Sequence, residues 1–431
     1  MKTRWLVVGI LTLGVAAAAP WGVGYYTERQ WQGVATGFNS AQDVLRLETR
    51  DYDRGYLDAS VRGYVTLVVP DSGEIRRIEY QARVSHGVTG SLMDFSTADS
   101  ATADVEKFFP DEKPRLTLET RIWGTATVEI TVPAVDVADR DTDETLTSAR
   151  AYGRADIGSA GTEVDIRVQW PGLTLAGPDV KIAMTDFRVE QTMERLTGNL
   201  WLGSGRVELA GLGFELPQQS PVRFEGLSVV SSSDVSDAGA RLNGESSIRL
   251  DKLTVDDRDS GPHEIQVMFD GLDVTSLDEI SSAVNDMQQA AVNPAAETNP
   301  RAVMEQQMQS FQRVNAAILG LAAEGFSFGL PTIDLSTPEG PVRGELMIRH
   351  PQLSEQEKSR AMMVMQGLTG NFDISMPAAL VDNNQALALQ IAPLVEDGMV
   401  VQEGNRLRMA GTLEDMALTI NGNVLPLPPI F

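Results

Sequence analysis

Apolar and polar residues alternate without exception in Val164-Asp-Ile-Arg-Val-Gln-Trp170. Such alternation places successive side chains on opposite faces of a β-strand, so that one face is buried and the other meets water. The same pattern occurs in Ser60–Val69, Leu116–Ile122 and Thr127–Val132. We therefore expect a large antiparallel sheet, because antiparallel strands commonly bury one face only.

Further strand-like segments continue toward residue 270, separated by turns rich in Gly, Pro and Asp. They are Leu173–Leu175, Val180–Met184, Gly205–Leu209, Val222–Val230, Ser246–Leu253 and Glu264–Phe269. The dipeptide Gly-Leu recurs here with its glycine at positions 172, 211, 226 and 271. Its irregular spacing does not indicate a solenoid, but it can mark comparable positions on different strands.

Helical spacing replaces the alternation in Thr275–Val292 and Asn299–Glu324. One face of the second segment is apolar and consists of Met304, Met308, Phe311, Ile318 and Leu321 or Ala322. A capping box, Ser354-Glu-Gln-Glu357, predicts a third helix that runs to about Gly367. These segments predict a helical insertion that covers part of the apolar face of the sheet.

Short strands are predicted again after the insertion, and two dipeptides between them favour hairpin turns. The strands are Phe372–Met376, Ala386–Ile391, Met399–Gln402, Arg406–Gly411 and Ala417–Ile420. The turn signals are Gly404-Asn405 and Asn421-Gly422, because both residue types accept a positive φ.

The N-terminal stretch from Trp5 to Tyr26 has no charged residue and follows Lys2 and Arg4. A bilayer-spanning helix needs about 20 apolar residues, and the basic residues before it remain on the cytoplasmic side. A cleaved signal peptide is the alternative, with Ala16–Ala19 as the cleavage region, although Pro20 would then follow the cut. The expected anchor residues are Trp5, Leu6, Val7, Val8, Ile10, Leu11, Leu13, Trp21, Tyr25 and Tyr26.

Together these segments predict an α+β fold that is mainly β, with an elongated, curved antiparallel sheet and one N-terminal transmembrane helix. The expected divisions are a cytoplasmic stub (1–4), an anchor (5–26), a membrane-proximal helix (27–50) and a β-rich exported domain (51–274). The helical insertion with intervening strands (275–370) and C-terminal hairpins that complete the sheet (371–431) follow.

The composition restricts the class of partner. The formal net charge is -25 and there is no cysteine. Nucleic-acid phosphates and anionic lipid surfaces both need a basic partner, so the charge argues against nucleic acid and against adsorption of the domain to anionic lipid. We expect the membrane contact to come from the N-terminal helix.

Several landmarks occur in an order that resembles the YdgA family of bacterial proteins of unknown function. The first is Tyr52-Asp-Arg54-Gly55-Tyr56, where the family more often has Trp-Phe at Tyr56-Leu57. Phe269-Asp-Gly-Leu-Asp273, Thr337-Pro-Glu-Gly340 and a closing Leu418-Thr-Ile-Asn421-Gly422 follow. The resemblance implies a single-pass protein of the bacterial inner membrane with most of its chain in the periplasm. It implies no catalytic residues.

The sequence predicts no catalytic, cofactor or metal site. His86, His263 and His350 lack a metal-ligand spacing, and no nucleophile elbow or phosphate loop is present. The carboxylates of Asp139, Asp141 and Asp143 alternate as in a calcium loop, but Glu144 replaces the required glycine, which favours a solvated acidic turn.

The segment Tyr52–Gly55 is either a binding determinant or a turn. We interpret it as a turn in which Gly55 has an unusual backbone angle and Arg54 pairs with an acidic residue.

Three functions remain open. The first is a non-enzymatic envelope protein whose groove holds an acyl chain or another hydrophobic ligand. The second is a periplasmic adaptor or assembly module that binds envelope proteins through a strand edge. The third, a hydrolase, requires that the fold bring a histidine and a carboxylate beside a serine in a pocket.

Overall fold

A computed structural model describes residues 23, 25, 27, 28 and 31 and the ranges 45–68, 75–97, 109–139, 143–198, 200–292, 300–358 and 360–427. The chain divides into two compact units, residues 1–178 with 187–190, and residues 179–186 with 191–431. Antiparallel strands dominate both units, which confirms the mainly β prediction.

The first unit begins with a meander in which each strand pairs with the next one along the chain. Its strands are β1 (Leu45–Arg54), β2 (Asp58–Val68), β3 (Ile75–His86), β4 (Gly90–Thr97), β5 (Arg115–Arg121) and β6 (Ala126–Val132). Strand β6 then pairs with β9 rather than with its successor. The remaining strands are β7 (Val135–Asp139), β8 (Glu144–Ser148), β9 (Ala151–Ile157) and β10 (Glu163–Ala176).

Strand β10 is longer than the sequence predicts, because it unites Val164–Trp170 with Leu173–Leu175. Its first half pairs with β9 and its second half with β8. Pro171 lies where the partner changes, which is compatible with its missing N–H. Asp139 and Glu144 are paired across the antiparallel strands β7 and β8, and Asp143 has a φ of 54°, so the described ends of the acidic segment lie side by side.

Residues 45–50, predicted as the end of the membrane-proximal helix, instead begin β1. Among the residues described before β1, helical structure is seen at Val23, Tyr25, Thr27, Glu28 and Trp31. The register of β1 shifts between Thr49 and Asp51, as in a β-bulge. This shift lets the side chains on both sides of the bulge face the same helix.

The second unit has a series of antiparallel strands in the pairing order β12–β13–β14–β16–β17–β18–β19–β21–β22–β23. Strand β11 (Lys181–Thr197) belongs to the second unit except for residues 187–190. The following strands up to β19 are β12 (Leu200–Glu215), β13 (Val222–Ser236), β14 (Arg241–Val255), β15 (Arg258–Ser260), β16 (His263–Asp273), β17 (Phe326–Thr337), β18 (Gly340–His350) and β19 (Thr369–Pro377). Of the four Gly-Leu glycines, Gly226 and Gly271 have a positive φ, at 68° and 71°, where the strand register is interrupted.

The helical insertion follows β16, as predicted. Helix α1 (Val274–Val292) is capped by Asp273, whose Oδ2 accepts a hydrogen bond from the Ser276 N–H at 2.8 Å. Helix α2 (Pro300–Glu324) leads directly into β17. The third predicted helix is interrupted and forms α3 (Glu355–Lys358) and α4 (Ala361–Gln366). At its start, Glu357 Oε2 accepts a hydrogen bond from the Ser354 N–H at 2.9 Å, so the capping residues are as predicted.

The C-terminal part contains one clear error of the sequence prediction. Ala386–Ile391, predicted as a strand, lies within helix α6 (Gln385–Glu396), which follows α5 (Ala378–Asp382). Strands β20 (Val401–Glu403), β21 (Arg406–Glu414), β22 (Ala417–Ile420) and β23 (Asn423–Pro426) complete the described chain. Both predicted turns occur, with positive φ at Gly404, Asn421 and Gly422.

Candidate functional site

An apolar cavity of about 310 Å³ lies in the second unit between helix α2 and the sheet. Its walls come from α2, α4 and strands of the sheet, and all but one of its lining residues are apolar. They are Ile318, Leu319, Leu321, Ala322, Phe326, Phe328, Ile348, His350, Val364, Leu368, Leu413, Met416 and Leu427. Binding pockets typically have volumes of roughly 300–1,000 Å³, so this cavity has room for a small ligand or part of a larger one.

The floor of the cavity is a row of cross-strand neighbours on four strands. Phe328 pairs with Ile348, Ile348 with Gly370, and Gly370 with Leu413. A Cβ atom at Gly370 would lie 3.7 Å from Ile348 Cγ1 and 3.6 Å from Leu413 Cβ. The atom nearest to such a Cβ would be the Met347 carbonyl oxygen at 3.0 Å, so glycine at position 370 avoids a tight backbone contact in the sheet.

His350 is the polar residue of the cavity wall, and both of its ring nitrogens lie within hydrogen-bond distance of backbone carbonyl oxygens. Nδ1 lies 2.7 Å from the Pro351 carbonyl oxygen and Nε2 lies 2.5 Å from the Val364 carbonyl oxygen. The ring is 3% exposed and stacks on Phe326 with an interplanar angle of 11°. A Cβ at Gly367 would approach Nε2 to 2.5 Å, so glycine makes room for the imidazole. Because its nitrogens face protein carbonyls, His350 presents only ring surface to the cavity.

Helix α2 is fixed at its C-terminal end by charges. Glu324 accepts hydrogen bonds from Arg241 Nη2 at 3.0 Å and from Lys358 Nζ at 2.5 Å. The pKa of Lys358 is raised mainly by its hydrogen bond to Glu324, and to a smaller extent by its hydrogen bond to Glu355. Near its middle, Arg313 Nη1 donates to Asp286 of α1 at 2.6 Å. These ion pairs hold the helix that roofs the cavity.

The apolar face predicted for α2 extends beyond the cavity. Ile318, Leu321 and Ala322 line it, whereas Met308 and Phe311 are 54% and 56% exposed. Phe311, Ile318 and Ala322 follow one another at helical spacing on one side of the helix. The cavity therefore continues outward as an exposed apolar stripe, which is the region where a groove is expected.

The residues of the family-like segment after the N-terminal helix hold that helix against the first unit. Arg54 Nη1 donates to Glu28 Oε2 at 3.0 Å, and its guanidinium lies 5.5 Å from the Tyr25 ring centroid. Burial raises the pKa of Tyr52 to about 12, assisted by the charge of Glu28. The prediction that Arg54 pairs with an acidic residue is confirmed.

Gly55 and Tyr56 form the turn after β1. The Gly55 N–H donates to the Asp58 carbonyl at 2.8 Å, and a Cβ at Gly55 would approach Asp58 Oδ1 to 2.4 Å. Gly55 is not among the residues of positive φ, so the predicted backbone angle is wrong and a close approach explains the glycine. The Tyr56 side chain is 52% exposed.

Asn421 and Gly422, the second family-like pair, support the C-terminal hairpin. The Asn421 side-chain amide donates to the Met399 carbonyl at 2.8 Å and to the Arg408 carbonyl at 3.0 Å. Its Oδ1 accepts from the Ala410 N–H at 3.3 Å. Asn421 thus joins three backbone segments, and Gly422 supplies a φ of 88° in the turn.

Sequence reasoning missed a buried polar chain at the N-terminal helix, formed by His86, Ser91 and Thr27. His86 Nδ1 lies 2.8 Å from Ser91 Oγ, which lies 2.8 Å from Thr27 Oγ1, and Thr27 donates to the Val23 carbonyl at 2.9 Å. Because the Thr27 hydroxyl hydrogen is already donated to the Val23 carbonyl, the Ser91 hydroxyl donates to Thr27 Oγ1. His86 Nδ1–H then donates to Ser91 Oγ.

This direction is opposite to that of a serine nucleophile and its general base, because a base accepts the serine proton. Ser91 is 2% exposed, so no substrate reaches it. Burial lowers the pKa of His86 below 6.5, while Asp58 raises it and Arg54 lowers it. The cluster therefore fits attachment of the helix and does not meet the condition set for a hydrolase.

The described residues contain no group of three or more His, Cys, Asp or Glu side chains placed to hold a metal ion. Among the helices described there, none combines the length and apolar character of a membrane span. Apart from Val23 and Tyr25, the residues of the predicted anchor (5–26) lie outside the described residues.

The comparisons with known proteins place the chain at the level of a family. No curated protein and no solved structure matches it. A family profile, described as a bacterial protein of unknown function (DUF945), matches residues 1–428. The match spans both units, so the chain belongs to the DUF945 family of bacterial proteins.

Proposed function

We propose that this chain is a non-enzymatic protein of the bacterial cell envelope, anchored in the inner membrane, that holds an acyl chain in the cavity beneath α2. The observation that carries the proposal is the apolar cavity of about 310 Å³. Among its described lining residues the one polar side chain, that of His350, has both nitrogens against carbonyl oxygens. A site without an available polar group binds through apolar contact alone.

The chemistry of the walls favours an apolar segment over a polar ligand. Each methylene group buried there contributes about 0.8 kcal/mol to binding. A polar head would lose its hydrogen bonds to water without replacement, which costs about 1–3 kcal/mol for each unpaired group. The head group of a lipid would therefore stay outside the cavity. The exposed apolar stripe with Met308 and Phe311 gives the acyl chain an apolar surface on which to reach the cavity.

Location is the second part of the proposal. The uncharged run Trp5–Tyr26 after Lys2 and Arg4 supports an inner-membrane anchor with the two units in the periplasm. The finer resemblance to the YdgA family supports the same location. An anchored periplasmic protein lies within reach of lipids, which is consistent with an acyl ligand.

Titration of the purified full chain with a fluorescent fatty acid tests the proposal, using A322F as the blocked variant. Ala322 lines the cavity, so a phenyl ring there replaces the volume of several methylene groups. Loss of two of them costs about 1.6 kcal/mol, which weakens binding roughly 15-fold.

The matched control is A316F, at an exposed position of the same helix that does not line the cavity. It should bind like the unaltered chain. Equal binding by A322F and the unaltered chain would refute this site, and no binding by the unaltered chain would refute the acyl ligand.

An adaptor role remains the second candidate because of strand β23. In the described pairings β23 is hydrogen-bonded to β22 alone, and Val424 on it is 63% exposed. A partner strand can add to such an edge. In intact cells carrying a photoreactive fatty acid, lipid adducts on Ile348 or Leu413 favour the acyl carrier. A crosslinker attached to the variant Val424→Cys tests the strand edge. Protein adducts at this position, without lipid adducts on Ile348 or Leu413, favour the adaptor.

A further inference from the structure

Three hairpin turns lie at one end of the first unit's sheet and each presents large apolar side chains to solvent. We name them the hairpin tips: residues 55–57 between β1 and β2, 87–89 between β3 and β4, and 122–125 between β5 and β6. Their exposed apolar residues are Tyr56 (52%), Leu57 (57%), Val88 (54%), Ile122 (47%) and Trp123 (56%).

Backbone hydrogen bonds join the hairpin tips into one surface. The His86 N–H, at the start of the second tip, donates to the Leu57 carbonyl at 2.7 Å. The Ile122 N–H donates to the Thr89 carbonyl at 3.0 Å. Exposed apolar residues are ordinary when scattered, but a contiguous patch marks a surface that meets an apolar partner.

The N-terminal helix reaches the same end of the sheet. Thr27 is hydrogen-bonded to Ser91, one residue into β4 after the second tip, and Arg54 at the first tip lies against the Tyr25 ring. Tyr25, near the end of the uncharged run Trp5–Tyr26, therefore lies beside the first hairpin tip. If that run spans the bilayer, the membrane surface lies at this end of the sheet.

We propose that the hairpin tips insert into the interfacial layer of the bilayer next to the anchor; this rests on the anchoring part of the proposed function. Trp and Tyr concentrate at that layer because their rings are apolar and their N–H or O–H groups remain hydrated. Arg121 lies 6.0 Å from the Trp123 ring centroid and is ion-paired with Glu119. The occupant is lipid, and it adds a second membrane contact to a domain whose net charge predicts none.

The next turn in the sheet offers an internal control. β6 pairs with β9 so that Ala126 faces Ile157, which places the β9–β10 turn at the same end as the hairpin tips. That turn consists of Gly158-Ser-Ala-Gly-Thr162, with no large apolar residue. Apolar character is thus a property of the three turns nearest the N-terminal helix.

Single cysteine variants of the full chain test the proposal, because the protein has no cysteine of its own. L57C, V88C and I122C carry an environment-sensitive fluorophore in vesicles of phosphatidylethanolamine and phosphatidylglycerol that contain nitroxide-labelled lipid. S159C, an exposed residue of the β9–β10 turn, is the matched control. We expect shallow nitroxides to quench the tip labels several-fold more strongly than the Ser159→Cys label.

A fourth label at V8C separates the two proposals. Quenching of this label by deep nitroxides together with weak, Ser159-like quenching at the tips would overturn the tip proposal and leave the anchor intact. Absence of deep quenching at position 8 would refute the anchor and the tip proposal with it. Blue-shifted tip labels that lipid nitroxides do not quench would show that a protein covers the surface instead.

Discussion

In the first unit, Trp31 closes the space between the N-terminal helix and the sheet, whereas in the second unit α2 leaves a comparable space open. Trp31 is 4% exposed, packs against Phe95 at a centroid distance of 5.5 Å, and donates its Nε1–H to Thr49 Oγ1 at 2.9 Å. Beneath it Val61 and Met93 have no exposed surface. Around the cavity of the second unit, Ile318 and Phe328 are 37% and 39% exposed.

This difference shows that a helix on an antiparallel sheet does not by itself produce a cavity. Protein interiors are normally close-packed, and atoms that border a void lose dispersion contacts. In the second unit the helix presents Ala322 to the cavity, whereas in the first unit the helix places Trp31 in the core. An acyl chain in the cavity would restore the missing contacts, which is why the open region is the better candidate for function.

The largest effect that distinguishes the two regions is expected from truncation of an aromatic residue. W31A should lower the free energy of unfolding of the first unit by about 3–5 kcal/mol, since a buried Trp is lost and a cavity remains. F328A should cost the second unit no more than about half of that, because Phe328 already borders open space. Hydrogen exchange read separately on the strands of each unit measures both values. Equal losses would contradict the distinction between a filled and an unfilled region.

Enlarging an alanine gives a smaller effect, which should destabilise the first unit and should not destabilise the second. Ala82 is 3% exposed in the core of the first unit, so A82L should overpack it and cost about 1–3 kcal/mol. A322L should leave the second unit unchanged or stabilise it by about 0.5–2 kcal/mol, because the added methyl groups occupy the cavity. Thermal unfolding of both variants tests this, and destabilisation by A322L equal to that by A82L would show that no usable space exists.

The smallest expected effect is a pH dependence confined to the first unit. The pKa of His86 is lowered in the folded state, so the unfolded chain binds the proton more tightly. The stabilising contribution is present above pH 6.5 and is lost as the pH falls from 6.5 through the folded-state pKa. Strands β3 and β4 should therefore exchange hydrogen faster in mild acid, and H86N, whose amide can still donate to Ser91, should reduce this change. H263N in the second unit is the control, and an unaltered acid response in H86N would rule out His86 as its source.

The sequence predicts the strands well because their residues alternate, as in β2, β5 and β6. The error at α6 has a definite cause. Leu387, Leu389 and Ile391 alternate as in a strand, but Leu387, Ile391 and Leu394 also have helical spacing, and these three pack on the core while Leu389 is 71% exposed. Asn384 Oδ1 accepts a hydrogen bond from the Leu387 N–H at 3.1 Å, and this cap was the missed signal.

The candidate sites depend on contacts that the sequence does not display. Ile348 and Leu413, which line the cavity, lie on β18 and β21 and are placed near each other by the register of both strands with β19. The chain from Thr27 through Ser91 to His86 joins residues that are distant in sequence. The apolar residues of the hairpin tips become a surface only when the turns lie side by side.

Mass spectrometry of molecules that copurify with the gently isolated full chain is the most direct test of an acyl-binding cavity. We predict a lipid with an acyl chain in the unaltered protein and in A316F, and its loss in A322F. Absence of any apolar molecule from all three proteins, or equal retention by A322F, would contradict the account.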